Sequence, residues 1–283
     1  PIEADQAAEG AEPQVAVARL PQGLDIGACQ TAAPDVDAVL GDASRRIERA
    51  CWSGDQGSRE HGCGRERWPS AVGGHRRHAI ASIAGDRVFL NCGPGPRTFL
   101  LALDKRTGTE AWKVDVPGGL EDGGGEKWTG SWSTPLFLSN PAGGELIVSF
   151  PHQLRSFDPK SGSEVWRCEG LGRLVYTSPV SRDGIVVSLS GFMGPLVAVR
   201  LGGKGDVTAT HRLWRQDRGP QEIGSGVIAG GHLYLVNDAG AGQCIEVSTG
   251  KTIWTERIGA QTWSSVVLAD GNLYSIDREG QCT

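Results

Sequence analysis

The first candidates for chemistry are seven cysteines, Cys29, Cys51, Cys63, Cys92, Cys168, Cys244 and Cys282. Their number is odd, none adjoin, and no C-x-x-C pair occurs, so a disulfide framework or a zinc ribbon lacks the spacing it needs. The nearest approach to a metal set is Cys51, His61, Cys63, His75 and His78. Those residues are too widely spread to converge on one turn and read as scattered thiols and surface histidines. The run Glu121-Asp-Gly-Gly-Gly-Glu126 carries oxygens of the kind Ca²⁺ takes. It lacks the alternating ligands of a calcium loop and reads more simply as a connection. No G-x-S-x-G, H-E-x-x-H or phosphate-cradling loop is present. Gly224-Ser-Gly226 opens a strand unit rather than a strand-to-helix turn.

Three acids do recur in one setting, and it is a structural one. The chain reads Asp104-Lys-Arg-Thr-Gly-Thr-Glu-Ala-Trp112, then Asp158-Pro-Lys-Ser-Gly-Ser-Glu-Val-Trp166, then Glu246-Val-Ser-Thr-Gly-Lys-Thr-Ile-Trp254. The acid, the hydroxyl residue (Thr107, Ser161, Thr249), the Gly (Gly108, Gly162, Gly250) and the Trp keep identical spacing. An acid followed by Thr-Gly punctuates a hairpin, because side-chain oxygens accept from turn N–H groups and Gly takes φ > 0. A degenerate copy has Arg200 in place of the acid and reaches Trp214 through a longer Gly-rich turn. Before each Trp comes a Gly with a short β-branched or aromatic run, as at Gly85-Asp-Arg-Val-Phe-Leu and Gly231-His-Leu-Tyr-Leu-Val.

Successive Trp residues are 54, 48 and 40 positions apart. A period near 40–45 with four short strands per unit is that of β-propeller blades. The expectation is an all-β chain of four-stranded antiparallel blades, a partial ring of about five, with Trp112, Trp166, Trp214 and Trp254 each largely buried between its own blade and a neighbour. Blades are expected at about 79–117, 128–170, 174–218 and 222–259, with a partial one at 262–283.

The D-x-x-T-G-x-x-x-W element, preceded by Leu-x-Ala-Leu at Leu100–Leu103, resembles the tryptophan-docking motif of the pyrroloquinoline-quinone (PQQ) repeat family. That resemblance covers about residues 79–283. It implies a propeller related both to quinoprotein dehydrogenases and to the non-catalytic lipoprotein of the outer-membrane β-barrel assembly machinery. Family dehydrogenases hold PQQ beneath a pair of adjacent cysteines, bind Ca²⁺ near the channel and use an Asp base. This chain has no adjacent cysteines, and by motif position Asp104, Asp158 and Glu246 are turn acids rather than ligands. No cofactor is therefore expected. PQQ and Ca²⁺ enter only under the alternative of an oxidoreductase whose cofactor residues lie elsewhere in a longer protein.

The 283 residues include 42 Gly, about twice the usual share, and only one Met, which suits turn-rich β structure. The net charge is −5, with 28 basic against 33 acidic residues, which argues against a phosphate-tracking surface and against nucleic acid as the main partner. No apolar run is long enough to span a bilayer as a helix. Residues 1–78 hold nine Arg, no Lys, no Phe and no Tyr, and show no sustained alternation. They read as a disordered or mis-read lead-in. Both termini read as cut, so the chain is expected to be part of a longer propeller, with a periplasmic, envelope or secreted setting.

One further recurrence marks a surface. Eight or nine residues ahead of the Gly element, at the start of the innermost strand, stand Tyr176 and Trp263, with Trp132 in the same slot after a longer turn; the other blades place Arg77 and Ile223 there. Repeated aromatics near the channel mouth make a rim for a protein or carbohydrate ligand, or else plug the channel. The expected function is a non-catalytic binding platform.

Overall fold

The structure, a computed structural model, describes residues 79–93, 98–120, 128–219 and 223–283. The reading of 1–78, including the Cys51–His78 set and Arg77, lies outside them, as does the acidic run 121–126.

Strands alone make up the regular structure of the described residues. The first blade is an antiparallel meander of Ala79–Ala84, Arg87–Cys92, Phe99–Asp104 and Glu110–Asp115. Leu136–Leu138, Glu145–Phe150, Gln153–Phe157 and Glu164–Glu169 repeat it, followed by Val180–Arg182, Ile185–Leu189, Leu196–Arg200 and Arg212–Gln216. The fourth blade is Val227–Ala229, His232–Val236, Ala241–Glu246 and Thr252–Arg257, and a hairpin of Val267–Ala269 and Asn272–Tyr274 comes last. The sheets form a partial ring, in which no described pairing joins the last hairpin to the first blade.

Each blade is built the same way around its Trp. On the neighbouring strand Trp112 faces Ala102, Trp166 faces Ser156, Trp214 faces Ala198 and Trp254 faces Cys244. A register shift follows at each of these places. The small partner leaves room for the indole, and the bulge tips the outer strand toward the next blade. The Ala of Leu-x-Ala-Leu is that small partner.

The turns behave as their residues dictate. Asp104 Oδ1 accepts from the N–H groups of Arg106 and Thr107, and Asp158 Oδ1 from those of Lys160 and Ser161, at 2.7–3.0 Å. Gly108, Gly162 and Gly250 close the turns with N–H donation to the acid's carbonyl at 2.8 Å and φ of +69°, +74° and +77°.

Trp then docks across blades. The indole N–H of Trp112 donates to the Pro159 carbonyl at 3.0 Å, and that of Trp214 to the Val247 carbonyl at 2.7 Å. Both acceptors directly follow the next blade's motif acid. A Cβ on Gly162 would lie 2.7 Å from the Trp112 ring, and one on Gly250 would lie 2.7 Å from the Trp214 ring. Only Gly lets the indole close on the turn. Trp112 and Trp166 are buried, whereas Trp214 and Trp254 are half-buried. The neighbour of Trp254 is the final hairpin, which brings it no acid-Thr-Gly turn.

Trp166 faces the degenerate repeat and is held differently. Its N–H donates to Glu145 Oε2 within its own blade at 2.9 Å. The Gly-rich insert of the third blade crosses over as Gly205–Asp206 and pairs parallel with Trp166 and Arg167, adding a fifth strand to the second blade's outer edge. Val207 from the same insert is buried in one cluster with Trp166.

Candidate functional site

The segments that cross from one blade to the next lie on one face, together with the loops joining second and third strands. Two of these segments zip together: Trp128–Ser131 and Leu174–Val175 pair in parallel. The Trp132 N–H donates to the Val175 carbonyl at 2.7 Å. The pairing carries Trp132 and Tyr176 out side by side, and their rings stack with centroids 4.4 Å apart and planes 7° apart. Phe192, from the loop 190–195, meets Tyr176 at 4.6 Å and 64°. Burial against these rings pushes the Tyr176 phenol above its ordinary value of 10.0.

A belt of hydroxyls fixes this rim. The Thr134 N–H donates to Ser178 Oγ, the Ser178 N–H to Ser225 Oγ, and the Ser225 N–H to Ser265 Oγ, at 2.9–3.0 Å. Each blade thus hands a backbone donor to the Ser at the matching position of the next. Behind the belt, Asn91 Nδ2 donates to Ser131 Oγ and the Ser133 carbonyl, and Ser149 Oγ and Ser188 Oγ lie 2.7 Å apart across two blades.

Of the three rim residues expected from sequence, the structure brings Trp132 and Tyr176 together. Trp263 is half exposed and engages the Arg278 guanidinium at 4.7 Å instead. The intervening blade has Ile223 and Gly224 in the slot, so no ring bridges the two places. Phe192 was missed because it belongs to no repeat; its only signal is a pair of large apolar residues between two glycines.

The same geometry limits the chemistry available. The motif residues Asp104, Thr107, Asp158, Ser161, Glu246 and Thr249 are engaged in their turns, with the Thr249 hydroxyl donating to Glu246. Such committed acids do not fit the donor set of a Ca²⁺–PQQ site. Burial pushes the Cys168 thiol up to about 11, so it is no nucleophile at neutral pH. Among the described residues no three His, Cys, Asp or Glu side chains converge as metal ligands.

Residues 152–283, just under half of the chain, match the family model described as outer membrane protein assembly factor BamB. This stretch is built of PQQ-type propeller repeats. No curated protein sequence matches. Among solved structures, BamB from Moraxella catarrhalis is similar at 14% identity and a TM-score of 0.42, over 71% of this chain and 70% of that one. The computationally designed Ika8 protein is similar at 14% identity and a TM-score of 0.54, over 74% of this chain and 58% of the design. A quinohemoprotein alcohol dehydrogenase from Pseudomonas putida HK5 follows at 16% identity and 0.41, over 65% of this chain and 34% of that one. At these identities the likeness is one of fold.

Proposed function

We propose that the PQQ-type propeller is a non-catalytic binding platform of the cell envelope or its exterior, and that it takes a protein partner on the face carrying the blade crossings. One observation carries this reading. Among the described residues Trp132, Tyr176 and Phe192 gather into one partly exposed aromatic cluster outside the blade cores, and it stands on a hydrogen-bonded belt that holds it in place before any partner arrives. Preorganised aromatic anchors of this kind dominate protein interfaces. The family description names an outer-membrane assembly factor, which agrees with an envelope setting. The repeated acids Asp104, Asp158 and Glu246 are occupied in turns on the opposite face.

The test has two arms on the full chain. Immobilised protein should retain a discrete envelope protein, and Trp132→Ser/Tyr176→Ser should release it while keeping most of the parent's thermal midpoint. Adding PQQ and Ca²⁺ with an alcohol and a reducible dye should give no turnover. Dye reduction above the cofactor-only rate would instead support a quinoprotein oxidoreductase.

A further inference from the structure

The loop 190–195 joins the second and third strands of the third blade and runs Ser-Gly-Phe-Met-Gly-Pro. Its tip is a two-residue turn. The Gly194 N–H donates to the Gly191 carbonyl at 2.8 Å, and Phe192 and Met193 between them have φ of +47° and +53°. Positive φ at both central residues is the type I′ arrangement, whose preferred pair is Asn-Gly. Holding an ordinary L residue in the left-handed region is disfavoured, because its Cβ crowds the following carbonyl oxygen. Phe and Met have no polar group to offset it. Nor does burial repay the cost in full, since Phe192 is 51% and Met193 48% exposed. The base of the loop is nonetheless tied down. The Ser190 N–H bonds to the Pro195 carbonyl, the Gly172 N–H to Ser190 Oγ, and the Gly219 N–H to the Gly194 carbonyl, all at 2.7–2.9 Å. A rigid loop thus points two large apolar side chains outward in a disfavoured conformation, a combination that gathers at functional sites.

We propose that the Phe192–Met193 tip, backed by Tyr176 and Trp132, is the contact point for an extended segment of a partner protein that presents apolar side chains flanked by carboxylates. This rests on the reading of the crossing face as the binding surface. The occupant is chosen by what surrounds the tip. An Arg218 guanidinium nitrogen lies 3.8 Å from Met193 Sδ. The carboxylate nearest in sequence, Asp217, is paired with Arg215. The apolar knob therefore sits against a cation. A pyranose would need an open aromatic face, but Tyr176 already carries Trp132 and Phe192 against it. A bilayer anchor would need a basic cluster of about four to eight residues, whereas the described contacts place one guanidinium against the tip.

The double variant Phe192→Asn/Met193→Gly installs the preferred type I′ pair and removes both knobs. Relief of the turn should at least offset the lost Phe192–Tyr176 contact, so its thermal midpoint should equal or exceed the parent's. The probe is a fluorescein-labelled peptide alternating Leu with Glu and Asp, beside a control with Lys at every acidic position. The parent should bind the acidic peptide and not the control, and the double variant should bind it at least ~10-fold more weakly. Arg218→Gln should weaken binding and flatten its salt dependence. Equal binding of the Lys peptide, unchanged affinity of the double variant, or a lowered midpoint would overturn the assignment. So would preferential binding of phosphatidylglycerol vesicles or of a chitooligosaccharide. An envelope protein retained equally by parent and double variant would sink the tip while leaving the binding-face reading intact; a parent that retains neither peptide nor protein would sink both.

Discussion

Gly162 and Gly184 have nearly the same φ, +74° and +77°, yet very different surroundings. A Cβ at Gly184 meets nothing within 4 Å, while one at Gly162 would lie 2.7 Å from the Trp112 ring. Gly184→Ala therefore carries the left-handed penalty alone, about 1–2 kcal/mol. Gly162→Ala adds displacement of a buried indole and loss of its bond to Pro159. Urea denaturation should show Gly162→Ala to be the more destabilising, by at least about 1 kcal/mol. Equal losses would mean that the docked indole contributes nothing at that contact. The acids of these turns report in another way. The Ser161 N–H bonded to Asp158, and the Thr107 N–H bonded to Asp104, hold both carboxyls below their ordinary value of 3.8. A lowered folded value means that the stabilisation is fully present above pH 3.8 and is lost as pH falls through the folded value. Asp158→Asn keeps an acceptor in the turn but cannot titrate. Between about pH 5 and about pH 2 the parent should lose more stability than Asp158→Asn does, as read from urea midpoints along the pH series.

At the scale of elements, the Gly-rich insert between Leu196–Arg200 and Arg212–Gln216 replaces a lost docking turn with strand pairing. Beyond the parallel pairing, the Val207 N–H donates to the Arg167 carbonyl and Thr208 Oγ1 accepts from the Glu169 N–H, both at 2.9 Å. Arg167 also bridges Glu164 at 2.9 Å and Asp206 at 3.8 Å. The insert covers the ladder edge that an outermost strand otherwise leaves open. Replacing 202–210 by a short Thr-Gly turn should accelerate amide exchange at Glu169 and its strand, and leave the first blade's exchange unchanged. Unaltered exchange there would mean that the insert is a bystander. The acid-to-Trp spacing made the blades readable because it is a local rule, repeated, with one residue type suited to each position. The insert was not readable, since its strand pairing, Trp166 with Gly205 and Arg167 with Asp206, is backbone to backbone between distant segments and carries no residue signature. The Phe192–Met193 turn was hidden for the opposite reason: its residue types contradict its conformation. Trp132 and Tyr176 were legible as aromatics in a repeated slot, but their union depends on the short parallel pairing beneath them. Trp263 could not join them once the intervening slot held Ile223.

At the scale of the molecule, the described blades are coupled to their neighbours, toward the outside by the docked indoles of Trp112 and Trp214 and by the insert at Trp166, and toward the axis by shared hydroxyls. Such an array behaves as a one-dimensional chain, in which the loss of one interface weakens that junction and leaves distant junctions nearly untouched. The hydroxyl belt allows a direct trial, because Ser178 Oγ receives a donor from the second blade and Ser225 Oγ one from the third. Ser178→Ala strips the Thr134 N–H of its acceptor in a half-buried place, and Ser225→Ala does the same to the Ser178 N–H. Each should cost about 1–2 kcal/mol, the penalty for an unsatisfied backbone donor. Exchange should quicken at Thr134 in the first variant and at Ser178 in the second, with little change elsewhere. The pair couples through Ser178, which is acceptor in one bond and donor in the next. Without its side chain Ser178 loses the grip on Thr134 that holds its own N–H toward Ser225. The double variant should therefore cost less than the sum of the two singles, by more than the ~0.5 kcal/mol scatter of independent sites. Strict additivity would show that each bond stands alone and that the rim is stiffened blade by blade rather than as one belt.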